Sequence, residues 1–379
     1  MHILIAPNAF KNSLSAGRVA EVIYVGLQKS PLQFDHECFP VGDGGDGTGE
    51  LIVKSKSGLR VDLEVQDPLR KKILSWYGLI DQGKTAVIEM ASASGLHLLN
   101  KQEMNPLKTS SIGTGEMIKD ALNKGVKKII LGMGGSATVD GACGILSALG
   151  IRFLDHEKQL LFPSPENLIN VESIDDSELD PGIRGCEFIV LCDVVNPLLG
   201  SDGAATVFGP QKGATPAAVK ELEKFLDRFA ALAMKQTQKN LVNLPAAGTA
   251  GGAAAGLYAL LNAKLVNGID YFLEFTNFEL ALGKADLVIT GEGSIDNQTL
   301  DGKGPFGVAC RAKQKGIPVI GLAGIVPLKK STKMQQYFDV LFPIGNQPSE
   351  LAGALKLTEE NLERTAIEIG NLLSLKLTN

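Results

Sequence analysis

One recurring pattern constrains this chain more than any other: a short apolar run, then a polar or glycine-rich loop, then an amphipathic stretch. Residues 3–6 (ILIA) and 38–41 (CFPV) begin the series, with helix-like segments at 16–27 and 50–55. It resumes late in the chain, where strands are expected at 286–293, 317–324 and 339–345, a helix at 305–315 and a long terminal helix over 350–376. Strands separated by helices pair in parallel, because the chain must cross back before it can join the sheet again. Five such strands make one doubly wound parallel-sheet (flavodoxin- or Rossmann-like) α/β domain, assembled from 1–60 and 285–379. Residues 61–284 then read as a second, mixed α/β domain inserted into the first. Three strand-like runs within 60–90, with no helix between them, are expected to be antiparallel. Further strands are expected at 127–134 and 187–194, and helices at 114–124, from about Val139, at 215–236 and around 250–262. The polar, Pro/Ser/Asp-rich stretch 155–187 reads as a long connection with little regular structure.

Charge and cysteine usage exclude several function classes. The 37 basic and 42 acidic side chains leave a formal charge of −5, which argues against a nucleic-acid partner. The five cysteines (Cys38, Cys143, Cys186, Cys192, Cys310) form no CxxC pair and no His-Cys metal spacing, so they are expected as buried thiols in a reducing compartment. No basic segment followed by an apolar stretch opens the sequence, and no run approaches the ~18 apolar residues that span a bilayer. The expectation is a cytoplasmic protein without a membrane partner. His97 and His156 lack metal spacing and read as ordinary residues.

The glycines, 43 in all, cluster in loops that follow strands. In open α/β sheets ligands bind outside the carboxyl ends of the strands, so these loops are where chemistry is sought. Asn8, Lys11 and Ser13 follow the first strand. Asp43, Asp46, Thr48 and Glu50 follow the second, in GDGGDGTGE. Gly134, Gly135, Ser136 and Thr138 lie in GMGGSAT, where backbone amides at a helix start could cradle a phosphate, although a capped strand-to-helix turn would account for the same residues. It is neither a GxxxxGK[ST] loop nor a GxGxxG fingerprint. Asp193 and Asn196 follow EFIVLC, and Asp193 could serve as a base for a hydroxyl or as a turn carboxylate. Lys212 sits in FGPQKGA, among residues whose backbone tolerates close anion approach. Glu292, Asp296, Gln298 and Thr299 follow DLVIT, with Lys303 beyond. Carboxylates spaced by glycines can hold Mg²⁺ or substrate hydroxyls, or can simply cap the next helix. Acidic loops, a few lysines and phosphate-compatible turns together point to phosphoryl transfer, where positioning and charge stabilisation dominate.

Several segments resemble the bacterial type I glycerate kinases: APNAFKNSLSA (6–16), VGDGGDGTGE (41–50), KTSSIGTGE (108–116), GMGGSATVDGACG (132–144), CDVVNPLLGSDGAATVFGPQKGA (192–214), PAAGTAGGAAAG (245–256) and DLVITGEGSIDNQTLDGKGPFGVA (286–309). They occur in that family's order over nearly the whole chain. Departures are Asn8, Ala9 and Asn12 where the family usually reads DSFKGS, Gly42 and Asp46 where it reads ADGGEGT, and Val139 where Asn is common.

The resemblance implies two α/β domains with the active site in the cleft between them. It also implies transfer of the ATP γ-phosphate, with Mg²⁺, to D-glycerate. The expected product is 2-phosphoglycerate; 3-phosphoglycerate, or a non-catalytic two-domain small-anion binder, are the alternatives. On this reading Asp193, Lys11 and Lys303 are catalytic. Ser13, Asp43, Asp46, Asn196 and Asp296 bind substrate. Gly134, Gly135, Ser136, Thr138 and Lys212 bind nucleotide phosphates, and Asp43 with Glu292 holds the metal. The protein is expected as a monomer or homodimer. A nicotinamide dehydrogenase is disfavoured, since no GxGxxG follows the first strand.

Overall fold

A computed structural model describes residues 1–296, 299 and 302–375; Gln298 lies outside the described residues. Strands β1 (His2–Ile5) and β2 (Asp35–Cys38) open the chain. β3 (Leu59–Gln66), β4 (Lys72–Ile80), β5 (Thr85–Glu89), β6 (Lys128–Gly132), β7 (Arg152–Leu154), β8 (Ser173–Asp175), β9 (Glu187–Cys192) and β10 (Lys264–Asn267) follow. β11 (Leu287–Ser294), β12 (Val319–Ile325) and β13 (Val340–Pro343) come last. Contacts divide the chain into two compact units, Met1–Asp43 with Ile269–Asn379, and Gly44–Gly268.

The first unit is built on a five-stranded sheet of order β13-β12-β11-β1-β2, parallel throughout. Ile3, Leu4 and Ile5 are fully buried, so both faces of β1 are covered, as a parallel sheet flanked by helices requires. On one face Ile3, Ile5, Ile289 and Leu322 share a core with Val19, Ile23, Leu362 and Ala366 of the helices Ala16–Gln28 and Thr358–Ser374. The order reverses direction at the β1/β11 pair. In doubly wound sheets that switch point, at the carboxyl ends, opens the ligand crevice.

The second unit carries a six-stranded mixed sheet, order β10-β9-β6-β5-β4-β3. β3, β4 and β5 pair antiparallel as expected, and β5 then joins β6 in parallel, followed by β9 and β10. The helix Pro216–Thr237 starts at Thr215, whose side chain accepts the Ala218 N–H.

Several expectations are corrected. The units divide at 43/44 and 268/269, not at 60/61 and 284/285. The helix Thr48–Ser55 packs on β4 and β5, while Ile269 crowds Gly307 and Phe278 stacks edge-on with Phe39. The second strand, expected to end in CFPV (38–41), runs over Asp35–Cys38 and stops at the first residue of that run; it is an exposed, polar edge strand. The terminal helix is two helices, Leu351–Lys356 and Thr358–Ser374. Within 155–187 the strand β8 pairs with β7, and a turn of helix forms at Pro165–Leu168. Only Cys143 and Cys192 are buried; Cys38 is exposed on the edge strand, and Cys186 and Cys310 are half-buried. Among the described residues no helix is long and apolar enough to cross a membrane.

Candidate active site

In the first unit, the carboxyl ends of β1, β2 and β11 gather an acidic cluster. The chain leaving β1 stays beside β11, with the Ala6 N–H donating to Ile289 O and the Asn8 N–H to Gly291 O, both at 2.8 Å. This fixes Asn8, which is buried, so that its Nδ2 donates to Asp43 Oδ2 at 2.8 Å. The Gly304 N–H, at the start of the helix Gly304–Gln314, reaches the same Asp43 oxygen at 3.4 Å. A carboxylate there meets the partial positive charge of the helix start. A Cβ at position 304 would stand 2.8 Å from Asn8 Nδ2, so glycine there leaves Asn8 room to reach Asp43.

Glu292 lies in β11, 6% exposed, and accepts the Thr299 hydroxyl at 2.8 Å. Burial pushes its carboxyl up to about 7; Lys303, Thr299 and Lys11 oppose that rise, and Asp43 adds to it. The structure thus gathers Lys11, Asp43, Glu292 and Lys303 into one electrostatically coupled group. Asp296 lies beside them and shapes the loop, accepting the Thr299 N–H at 3.2 Å. Ser13 is directed elsewhere, its hydroxyl donating to Leu355 O at 2.9 Å.

In the second unit two glycine-rich loops are knitted together through their backbones. The Met133 and Gly134 N–H groups donate to Gly44 O at 3.1 and 3.0 Å. A Cβ on Gly134 would stand 2.3 Å from Gly45 Cα. Exposed Asp46 flanks this seam, its Cβ 3.8 Å from where a Gly135 Cβ would be. Beyond the seam, Lys212 Nζ donates to Ser136 Oγ at 3.0 Å and to Thr138 O at 2.7 Å. Burial pushes the Lys212 amine down to about 8, against the pull of Asp140 and Asp193. The structure therefore brings Gly134, Gly135, Ser136, Thr138 and Lys212 together, with Asp193 half-buried within electrostatic reach of Lys212. The Lys212 amine is turned inward, onto the loop it was expected to assist. Asn196 faces away from this group, donating through Nδ2 to Asp202 O at 2.8 Å.

Two residues escaped the sequence reading, and a third, Asn8, was placed in the first loop without a role. Asp140 is fully buried and accepts from Ser111 N (2.8 Å), Ser111 Oγ (2.7 Å), Gly144 N (3.2 Å) and Ala142 N (3.3 Å). Burial raises its pKa while those donors hold it down. Glu89, at the end of β5, accepts the Gly49 N–H at 2.8 Å. Asn8, assigned no role from sequence, anchors Asp43. A carboxylate closing the apolar run TAVIE was the available signal for Glu89.

A model described as the glycerate kinase family matches residues 3–374. The chain belongs to the glycerate kinase family. Within that family the glycerate kinase of Haemophilus influenzae is 43% identical over 99% of this chain and 100% of its own length. The glycerate 2-kinase of Escherichia coli K12 is 39% identical over the whole of both chains. A crystal structure from Salmonella typhimurium LT2, provisionally named glycerate kinase 2, matches with a TM-score of 0.81 at 42% identity, covering 98% of each chain.

Proposed function

We propose that this chain is an ATP-dependent kinase that transfers a phosphoryl group to the 2-hydroxyl of D-glycerate. The observation that carries this reading is end-to-end similarity to a glycerate 2-kinase, 39% identical over 379 residues. The chemistry of the two clusters supports it. Phosphoryl transfer asks a protein mostly to position its reactants and to offset developing charge. Lys11 and Lys303 supply positive charge beside Asp43 and Glu292 for a glycerate carboxylate or a transferring phosphoryl group. The backbone of Gly134–Thr138, braced by Lys212, suits phosphate oxygens. Asp193 accepts the proton of the attacking hydroxyl, and Asp46 and Asp296 are candidate substrate ligands, each within its own unit.

Mg²⁺ commonly takes one or two carboxylates and completes its shell with waters and nucleotide phosphates. Asp43 and Glu292 are a donor pair of that kind. Among the described residues no group of three or more acidic, His or Cys side chains could cage a metal alone. Bound there, Mg²⁺ would neutralise phosphate charge.

Purified protein mixed with ATP, Mg²⁺ and D-glycerate should release ADP, and enolase alone should convert the product to phosphoenolpyruvate. A requirement for added phosphoglycerate mutase would move the target to the 3-hydroxyl. No ADP release would overturn the reading.

A further inference from the structure

Glu89 is 7% exposed and stands directly across from Gly132 in the β5/β6 ladder, where a Gly132 Cβ would meet Glu89 Cγ at 3.8 Å and Gly44 O at 3.5 Å. Its Oε1 accepts the Gly49 N–H at 2.8 Å, and the Gly47 N–H adds a weaker stabilisation. Those amides belong to the start of the helix Thr48–Ser55, whose N-cap, Gly47, has no side chain with which to cap it. Unpaired N–H groups at a helix start attract an anion, and here the protein supplies one from a neighbouring strand. The fit is tight: a Cβ on Gly49 would stand 2.7 Å from Glu89 Cγ, so glycine at 49 is the complement of glutamate at 89. The carboxylate also faces two like charges, Asp46 and Glu50, both exposed on the same segment. Burial, with those like charges, pushes the Glu89 carboxyl up to about 7, and the Gly49 and Gly47 amides oppose that rise.

We propose that Glu89 is a positioning residue: an internal acceptor that fills the start of the Thr48–Ser55 helix and, through the Gly47–Gly49 backbone, sets Asp46 beside the turn at Gly135. This rests on the proposed reading of Asp46 as a substrate-binding residue. One consequence is that the helix start is already satisfied and takes no phosphate. Another is that Glu89 touches no reactant; its effect on turnover passes through Asp46.

The test compares wild type, Glu89→Gln, Asp46→Asn and the double variant, with Glu89→Asp as the charge-conserving replacement should Glu89→Gln fail to fold. Glu89→Gln should raise KM for glycerate by roughly tenfold or more, as loss of a group that holds a binding residue from behind does elsewhere. KM for ATP should stay within about twofold. In the Asp46→Asn background the same change should cost less than about twofold further, because both act through one carboxylate. Glu89→Asp should recover part of the loss. Losses that multiply in the double variant, or an unchanged KM for glycerate, overturn the proposal. Amide hydrogen exchange followed by mass spectrometry gives a readout independent of turnover: the segment 44–52 should exchange faster in Glu89→Gln, with the remainder unchanged. Unaltered exchange there overturns Glu89's hold on the loop. Absence of glycerate turnover in the wild type would instead overturn the proposed function, and the exchange arm would still decide on Glu89.

Discussion

Replacing Lys212 with methionine separates the cost of a buried amine from its use. Lys212 is 4% exposed, and its amine sits at about 8 instead of the ordinary 10.5 because burial disfavours the charged form. That gap corresponds to roughly 3–4 kcal/mol. The folded pKa lies below the unfolded one, so the contribution to stability is complete above 10.5 and is lost as pH falls through 8. At pH 7 the folded protein carries nearly the full cost of holding an ammonium ion there. Methionine removes the cost but leaves Ser136 Oγ and Thr138 O without their donor, a penalty of about 1–3 kcal/mol each. The two effects are of similar size, so stability at pH 7 should move by no more than ~3 kcal/mol in either direction. The pH dependence is the sharper readout. Between pH 7 and pH 10 the wild type should gain about 2.5 kcal/mol relative to Lys212→Met, the difference in proton binding integrated over that interval. Urea unfolding of both proteins at pH 7, 8, 9 and 10 measures it. A gap constant to within ~0.5 kcal/mol would refute the claim that Lys212 is held with a depressed pKa. Turnover should meanwhile fall in Lys212→Met, since the Ser136–Thr138 turn loses the brace that fixes it.

Further outcomes follow from the same geometry. Gly134→Ala places a methyl 2.3 Å from Gly45 Cα and should cost roughly 1–3 kcal/mol along with most of the activity, whereas Gly185→Ala, with open space around it, should stay within about 0.5 kcal/mol; thermal melts and ADP release check both. Asp193→Asn should lower kcat by about 10²–10⁴ with KM nearly kept, and near-full turnover in Asp193→Asn beside an inactive Asp43→Asn would reverse the assignment of the base. Glu292, at about 7, is protonated below that value and ionised above it, so the apparent Mg²⁺ affinity of the ATP-dependent reaction should improve about tenfold from pH 6 to pH 8. In Glu292→Gln that interval should be flat, and a profile unchanged from wild type would remove Glu292 from the metal site.

What the sequence reveals depends on where apolar contrast exists. β1, β6, β9 and β11 are legible because residues such as Ile3, Ile130, Val190 and Ile289 lose essentially all exposure and had to be apolar. β2, with sequence DHEC and mostly exposed, carries no such signal, so the apolar CFPV that begins at its last residue drew the expected strand forward. The break in the terminal helix at Leu357 is likewise hidden. Thr358 donates its hydroxyl to Ala354 O and Leu355 O, a local competition with helix carbonyls that composition does not foretell. The flavodoxin-like strand order was within reach of the α/β rhythm, whereas the unit boundaries were not, because they depend on which sheet a short helix packs against.

The site shows a deeper reason for partial legibility. An acidic residue in a glycine-rich chain has two physical uses that look alike in sequence. It can face a ligand, or it can act as a fixed internal acceptor on which loop amides fold. Glu89 and Asp140 are of the second kind, each deeply buried with backbone N–H groups on its oxygens. Asp67 does the same for the turn at Leu69 and Lys71, both amides donating to its Oδ1. Asp43 and Glu292 are also buried; Asp43 accepts from Asn8 Nδ2 and from the Gly304 N–H, Glu292 accepts the Thr299 hydroxyl, and Glu292 lies within the field of Lys303, Asp43 and Lys11. A carboxylate held by backbone amides is pinned to the loop that supplies them, although burial still pushes Glu89 and Asp140 up. One held by a side-chain amide or hydroxyl accepts from a donor that can rotate away, so a cation or a substrate hydroxyl can take that donor's place. The donors around a carboxylate and the charges beside it, neither of them visible in its sequence neighbours, distinguish the acids that shape loops from those proposed to face a substrate.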